Sequence, residues 1–177
     1  LRQREEEARH HAHEDAVMAE IGRIVSSTLA LEDVFPRFAE EVKRLLDFDR
    51  IVISAIDEAQ GTATNLYVSG EMLEGRNGGD VFPYAGSVIG EMLGAGESLL
   101  IQTDEAAAHA QRLPELKPTL EAGFRSILNV PLFSKGRIIG ALLLRSRTPQ
   151  AYTPEHVTCA ERIGTQIAGA IAGAQLY

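Results

Sequence analysis

An α+β fold is predicted from this sequence: an antiparallel sheet with the helices of the two chain ends packed together on one of its faces. Three observations carry that expectation. Helical periodicity occupies both ends. Val17, Ile21, Ile24, Thr28 and Leu31 form one stripe, and Val157, Ala160, Ile163, Gly164, Ile167, Ala170, Ile171 and Ala174 form a broader one. Between them the apolar residues occur in short strand-length runs, beginning with Ile51, Val52, Ile53, Ala55 and Ile56. The links between neighbouring runs are mostly tight turns, which make hairpins and therefore antiparallel pairs.

Each element follows in order. Residues 1–16 are polar, free of Gly and Pro and rich in helix formers, so a solvated helix leads into the amphipathic one near Val17. Asp33 is placed to cap a second helix, with Pro36 in its first turn and a buried face of Phe35, Phe38, Ala39, Val42, Leu45 and Leu46. The dense run from Ile51 predicts a strand covered on both faces. A turn at 58–61 returns the chain into a second strand at 62–69. Residues 73–80, with Arg76-Asn77-Gly78-Gly79, read as loop, and 81–84 as a short edge strand containing Pro83.

Ser87 caps a helix to about Leu93, ended by Gly94 and Gly96, and 98–102 is a further short strand. Residues 103–123, Ala-rich with Pro114 and Pro118, predict one or two helical turns in a long connection. Two strong strands follow at 124–133 and 137–146, joined by a tight turn in which Gly136 supplies positive φ. Pro131 removes one ladder N–H and predicts a bulge or a gap in pairing. Thr153-Pro154-Glu155 is a helix start: a cap, a proline in the first turn and an acid at the positive dipole end. In the last helix Gly169 and Gly173 stand four apart, a spacing that admits close helix–helix approach, although the stretch is too polar for a transmembrane dimer.

Composition narrows the function. Of 177 residues 45% are apolar and 24% charged, enough apolar content for a buried core. The formal charge of −8 argues against a polyanion-binding surface, so no nucleic-acid partner is expected. The single cysteine, Cys159, excludes an intrachain disulfide and any site of several thiolates. No run of about 18 apolar residues occurs, and the charged N-terminus has no signal-peptide pattern, so a cytoplasmic segment without membrane insertion is expected. A helix that enters at Leu1 without a start signal and leaves at Tyr177 without a stop signal predicts a piece of a longer signalling chain: residues 1–16 a linker helix and 17–177 the domain proper.

Three segments, in this order and spacing, resemble the GAF domain, a sensing and dimerisation module of signalling proteins. They are Gly86-Ser87-Val88-Ile89-Gly90 with Gly96-Glu97-Ser98-Leu99-Leu100-Ile101; Ser126-Ile127-Leu128-Asn129-Val130-Pro131-Leu132 with Ile138-Ile139-Gly140-Ala141-Leu142; and Tyr152-Thr153-Pro154-Glu155 opening a helix with Ile163, Gln166-Ile167-Ala168 and Ala170-Ile171. The resemblance implies a six-stranded antiparallel sheet. The first strand and the last two are central, the terminal helices cover one face, and a ligand pocket lies under loops and short helices on the other.

The chemistries that the resemblance brings with it are mostly excluded by the residues. The Asn-Lys-Phe-Asp-Glu signature of cyclic-nucleotide binders does not occur between residues 100 and 135, which speaks against a cyclic nucleotide. Cys159 lies on the terminal helix, on the wrong side of the sheet for covalent bilin, and one thiol cannot run the sulfoxide-reducing disulfide cycle. It reads as a small, partly buried hydrophobe. His109 is placed where a haem ligand could stand, though an exposed histidine on a short helix explains it more simply. His10 and His13 have helical spacing for an adventitious metal ion. The acidic pair Asp104-Glu105 reads as first-turn dipole compensation. No Gly-x-Ser-x-Gly elbow, phosphate loop or His-Glu-x-x-His occurs, so this segment is not expected to be an enzyme.

What remains is a non-covalent pocket flanked by Tyr67, Phe82, Tyr84, Ser87, Phe124, Arg125 and Asn129. The helix start at Ser87 and the cation of Arg125 favour an anionic or aromatic small molecule of unknown identity. Two functions are compatible with this reading. The first is a sensory domain that couples a ligand, through a homodimer of terminal helices, to an output such as a histidine kinase or diguanylate cyclase. The second is a dimerisation and coupling domain whose core side chains fill the pocket.

Overall fold

Strands β1 (Arg50–Asp57), β2 (Thr62–Gly70), β3 (Val81–Pro83), β4 (Leu99–Gln102), β5 (Ser126–Ser134) and β6 (Arg137–Ser146) form one sheet in the order β3-β2-β1-β6-β5-β4, with every pair antiparallel. This computed structural model describes residues 1–102 and 106–175, without the side chains of Ala106, His109 and Gln175. The first strand and the last two are interior, as their apolar density predicts. Lys135 and Gly136, both at positive φ, close the β5–β6 hairpin in the two-residue turn whose twist suits paired strands.

Pro131 pairs with Ala141 of β6, while β4 ends opposite Asn129. The proline therefore stands beyond the reach of β4, where no ladder bond to that strand is lost. The expected bulge lies just after it, between Leu132 and Phe133.

Strand alternation divides the domain into two layers. Ile51, Ile53, Leu128, Val130, Leu132, Leu142 and Leu144 turn to one face and pack against α1 (Arg2–Val25), α2 (Leu31–Lys43) and α6 (Pro154–Gln175). Burial of each such side chain contributes on the order of 1.5–3 kcal/mol. Gly164 lets α6 lie close on the sheet: a Cβ there would stand 3.2 Å from both Leu132 Cδ2 and Val130 Cγ1. Polar ties join α1 to α6. Gln166 Nε2 donates to the Met18 carbonyl at 2.9 Å, and Arg162 pairs with Glu14 at 2.7 Å.

The opposite residues, Val52, Ala141, Leu143 and Ile127, pack under α3 (Val88–Ala95), α4 (Ala106–Arg112), a 3₁₀ turn (Pro114–Leu116) and α5 (Lys117–Glu121). The long connection thus contains more helix than its prolines suggest.

Two sequence expectations change near the N-terminus. The apolar stripe from Val17 to Leu31 is not one helix. It breaks at Ser26, where the Ser27 hydroxyl donates to the Ile24 carbonyl at 2.7 Å and competes with helical continuation. Asp33 is not a cap: α2 starts two residues earlier, Ala30 is its N-terminal boundary without a side-chain cap, and the Ala30 carbonyl accepts from the N–H groups of Asp33 and Val34. Pro36 consequently lies inside the helix and removes one backbone bond. Residues 2–13 of α1 are exposed along their length.

Candidate functional site

The cavity-facing side of the sheet carries an arginine on each central strand. Arg50 and Val52 alternate with the helix-facing Ile51 and Ile53, and Arg145 and Leu143 alternate with Leu144 and Leu142. Arg50 and Arg145 are directly opposed in the β1–β6 register. They are 2% and 9% exposed. Together with Val52, Leu143 and Asn65 of β2 they floor a cavity of about 40 Å³. Leu73 and Arg76 from the loop after β2, Phe82 of β3, Val88 and Ile89 of α3, Glu115 of the 3₁₀ turn and Thr119 of α5 close it from above.

The roof is held by hydrogen bonds from the floor. Arg50 donates to the carbonyls of Glu71 and Arg76. Asn65 Nδ2 donates to the same Arg76 carbonyl at 2.9 Å, and the Ser54 hydroxyl donates to Asn65 Oδ1 at 2.7 Å. The loop from Glu71 to Asp80 is therefore pinned by β1 and β2, and it lays the Arg76 guanidinium 3.9 Å from the centre of the Phe82 ring. Arg76 also pairs with Glu115 at 3.4 Å, joining the loop to the 3₁₀ turn.

Arg145 is held differently. One terminal nitrogen donates to Asn129 Oδ1 at 2.7 Å and to its own strand's Leu144 carbonyl at 3.2 Å. Since a guanidinium only donates, the Asn129 amide must present its oxygen to Arg145, and its buried Nδ2 has no acceptor among the described residues. Glu115 Oε2 is likewise buried without a donor. Among the described residues neither Arg50 nor Arg145 forms an ion pair. Burial pushes the Arg145 guanidinium down to about 10, the charge of Glu115 opposes that, and the charge of Arg50 adds to it. Burial also lowers Arg50. Both remain cationic at neutral pH. Three arginines and one glutamate leave the cavity with two excess positive charges.

Of the residues expected at the site from sequence, only Phe82 lines this cavity. Ser87 caps α3, accepting from Gly90 N–H at 3.2 Å while donating to the Tyr84 carbonyl at 2.6 Å, and so positions Val88 and Ile89. Tyr84 is partly buried against the apolar cluster that contains Phe82, Ile89 and Met92. Asn129 meets the site through Arg145. Tyr67 turns to the other face of the sheet, 5.9 Å from Phe35 of α2. Phe124 is buried under the Arg147 guanidinium. Arg125 donates to the carbonyls of Leu120 and Phe124 and borders a separate open groove beside α5.

His109 falls within α4, and its side chain lies outside the described residues, as do Asp104 and Glu105 altogether. His10 lies with His11 along an open groove between α1 and α6, and His13 faces the Arg44 carbonyl. Among the described residues no three His, Cys, Asp or Glu side chains are grouped to hold a metal ion. Cys159 is buried on the helix face, where burial first and the nearby Glu14 charge second push its thiol up to about 11.

The charged residues of the cavity were present in the sequence as isolated polar letters in apolar strands. Arg145 ends the run from Ile138 to Leu144, and Arg50 immediately precedes the run from Ile51. Counting forward by two from Leu143 and back by two from Val52 would have placed both on one face.

A family model for the GAF domain matches residues 30–171. The chain belongs to the GAF domain family. Solved GAF structures share its fold. The GAF domain of an Acinetobacter phosphoenolpyruvate-protein phosphotransferase superposes with a TM-score of 0.74 at 19% identity, over 91% of this chain and 93% of that one. The GAF domain of a two-component sensor histidine kinase from Bacillus halodurans gives 0.70 at 20% identity, over 85% and 99%. The free methionine-R-sulfoxide reductase of Neisseria meningitidis, an enzyme, gives 0.73 at 16% identity, over 92% and 90%. At these identities the likeness is one of fold. No curated protein matches the chain. GAF domains occur in sensory signalling proteins, and no described helix here is long and apolar enough to cross a membrane.

Proposed function

We propose that this GAF domain is a sensory module that binds a small molecule non-covalently and couples its occupancy, through paired terminal helices, to an output domain of a bacterial cytoplasmic signalling protein such as a histidine kinase or diguanylate cyclase. The observation that carries the proposal is the polar cavity on the face of the sheet opposite those helices. Its floor residues alternate along β1 and β6 with the residues that hold α1, α2 and α6. A ligand that draws Arg50 and Arg145 together shifts the strands on which α6 rests, and close packing transmits displacement rather than absorbing it. The ligand biases the helices only to the extent that it binds two arrangements differently. The reading is regulatory: the one thiol is on the helix face, and the charged groups of the cavity are three arginines and Glu115, a set suited to binding an anion.

The experiment is native mass spectrometry of the purified protein, followed by hydrogen exchange of α1 and α6 with the retained molecule present and removed. A retained small molecule whose removal loosens the helices supports sensing, and unchanged exchange counts against coupling.

A second reading, a dimerisation domain without a ligand, is favoured by one observation. The cavity of about 40 Å³ is far below the roughly 300 Å³ of common small-molecule sites. Exposed Gly169 and the neighbouring Gly173 on α6, where a Cβ would meet nothing within 4 Å, suit approach of a second copy. Retention of no molecule together with a stable dimer would favour it.

A further inference from the structure

The sensory reading leaves open what the cavity recognises, and the floor of the cavity narrows that. Two guanidinium groups stand opposite each other on adjacent strands, both buried, with no carboxylate paired to either among the described residues. Like charges directly opposed across a ladder are destabilising, and buried charges are normally paired. Arg50 satisfies part of its fork on the roof loop carbonyls. Arg145 uses one nitrogen on Asn129 and Leu144. Its other nitrogens make no hydrogen bond to the described residues, and the buried Nδ2 of Asn129 calls for an acceptor.

We infer that the floor of the cavity is the seat of an oxyanion, the carboxylate or phosphate group of a small metabolite, held by Arg145 and Arg50. The inference rests on the sensory reading and specifies its ligand. A planar guanidinium fork suits the paired oxygens of both groups. The volume suits them as well: about 40 Å³ is the room of roughly three ordered waters, at 10–15 Å³ each, which accommodates one anionic head group. Glu115 Oε2, buried in the roof without a donor, selects for a hydroxyl or amine proton elsewhere on the same molecule. The two excess positive charges accommodate a singly or doubly charged anion. Arg76, stacked on Phe82 and paired to Glu115, completes the positive wall. A metabolite larger than its head group enters by displacing the loop from Glu71 to Asp80, which Arg50 and Asn65 pin through main-chain carbonyls.

The test uses the 177-residue chain and two probes, inorganic phosphate and glycolate, which separate phosphoryl from carboxylate recognition. Titrations are followed by calorimetry and by the arginine side-chain NMR resonances. At least one probe should bind saturably, move the Arg50 and Arg145 resonances, and lose tenfold or more in affinity in Arg145→Met. Arg137→Met, which removes an exposed cation paired to Glu58, should bind as the parent does. Binding of neither probe overturns the inference, as does equal binding by Arg145→Met. If that variant does not fold, the resonance shifts in the unmodified protein decide alone, and shifts confined to surface arginines overturn it. A neutral molecule retained in native mass spectra and kept by Arg145→Met would refute the anion while leaving the sensory reading intact. Anion binding that leaves the exchange of α1 and α6 unchanged would do the reverse.

Discussion

Arg50 and Arg145 are cross-strand partners at the end of the β1–β6 ladder, two buried cations side by side that, among the described residues, pair with no acid. Arg50 pins the roof loop, but nothing in packing requires a second cation opposite it. An apolar pair at the same positions would extend the packing begun by Val52 and Leu143. A feature that opposes stability and faces a cavity marks a place where function has set the residues.

That relationship predicts that replacing Arg145 by Met stabilises the ligand-free domain by about 1–3 kcal/mol. Because burial lowers the guanidinium from its ordinary value to about 10, both folded and unfolded states are protonated below that value, and the penalty is present in full at neutral pH. It is relieved only as the pH rises from about 10 toward the ordinary arginine value. Urea midpoints at pH 7 for parent and variant measure the difference, and a loss of stability would place Arg145 among the structural residues.

Gly164 and Gly169 share α6 but not an environment. A side chain at Gly164 meets Leu132 and Val130, whereas a Cβ at Gly169 meets nothing within 4 Å. Gly164→Leu should therefore cost about 1–3 kcal/mol or more through overpacking. Gly169→Ala should gain up to ~1 kcal/mol from helix propensity in the monomer. If a second chain packs on that face, Gly169→Ala instead weakens the dimer, which sedimentation at several concentrations distinguishes from the monomer effect.

The Tyr152 hydroxyl donates to the Asp47 carbonyl at 2.6 Å, tying the start of α6 to the end of the α2 region. Tyr152→Phe should cost about 1 kcal/mol at neutral pH. Burial chiefly, with the charges of Asp47 and Asp49 adding and that of Arg145 opposing, raises the phenol above its ordinary 10.0. A raised acid contributes stability that is whole below the unfolded value and is lost as the pH climbs past it. Above pH 10.0 the parent should lose stability faster than Tyr152→Phe, a difference visible in melting temperatures across alkaline buffers.

Cys159 should be a slow thiol. Its shift from 9.0 to about 11, with burial as the first cause, lowers the thiolate fraction near neutral pH by about 100-fold, and occlusion slows it further. Alkylation with iodoacetamide in the folded protein should fall at least 100-fold below that in urea. Equal rates would show that α1 lifts away from α6 readily.

The layer architecture was legible in the sequence because it depends on local chemistry. Periods of two and of 3.6, the turn at Lys135-Gly136 and the Thr153-Pro154-Glu155 start each act within a few residues. The failures at Ser26 and Asp33 are local as well: a serine side chain competing for the Ile24 carbonyl ended a helix whose apolar stripe continued unbroken.

The site was legible only in kind. Sequence pointed to an anionic small molecule and to aromatic and cationic residues near the Ser87 helix, but only Phe82 of those lines the cavity. Tyr67 went to the helix face because an irregularity in the β1–β2 register, between Ile53 and Ser54, breaks a simple count along the pair. The cavity itself joins residues 50, 76, 115 and 145, which lie far apart in the chain.

The amino-acid sequence determined by itself that this chain makes a two-faced antiparallel sheet with helices at both ends, and that a single thiol bars disulfide chemistry. The tertiary structure alone decided that Arg50 would stand beside Arg145 and that, among the described residues, neither would pair with a carboxylate. Secondary structure follows from periodicities that one segment carries within itself. Charge pairing depends on which strands become neighbours, and strand order is fixed only when the whole apolar core is buried at once.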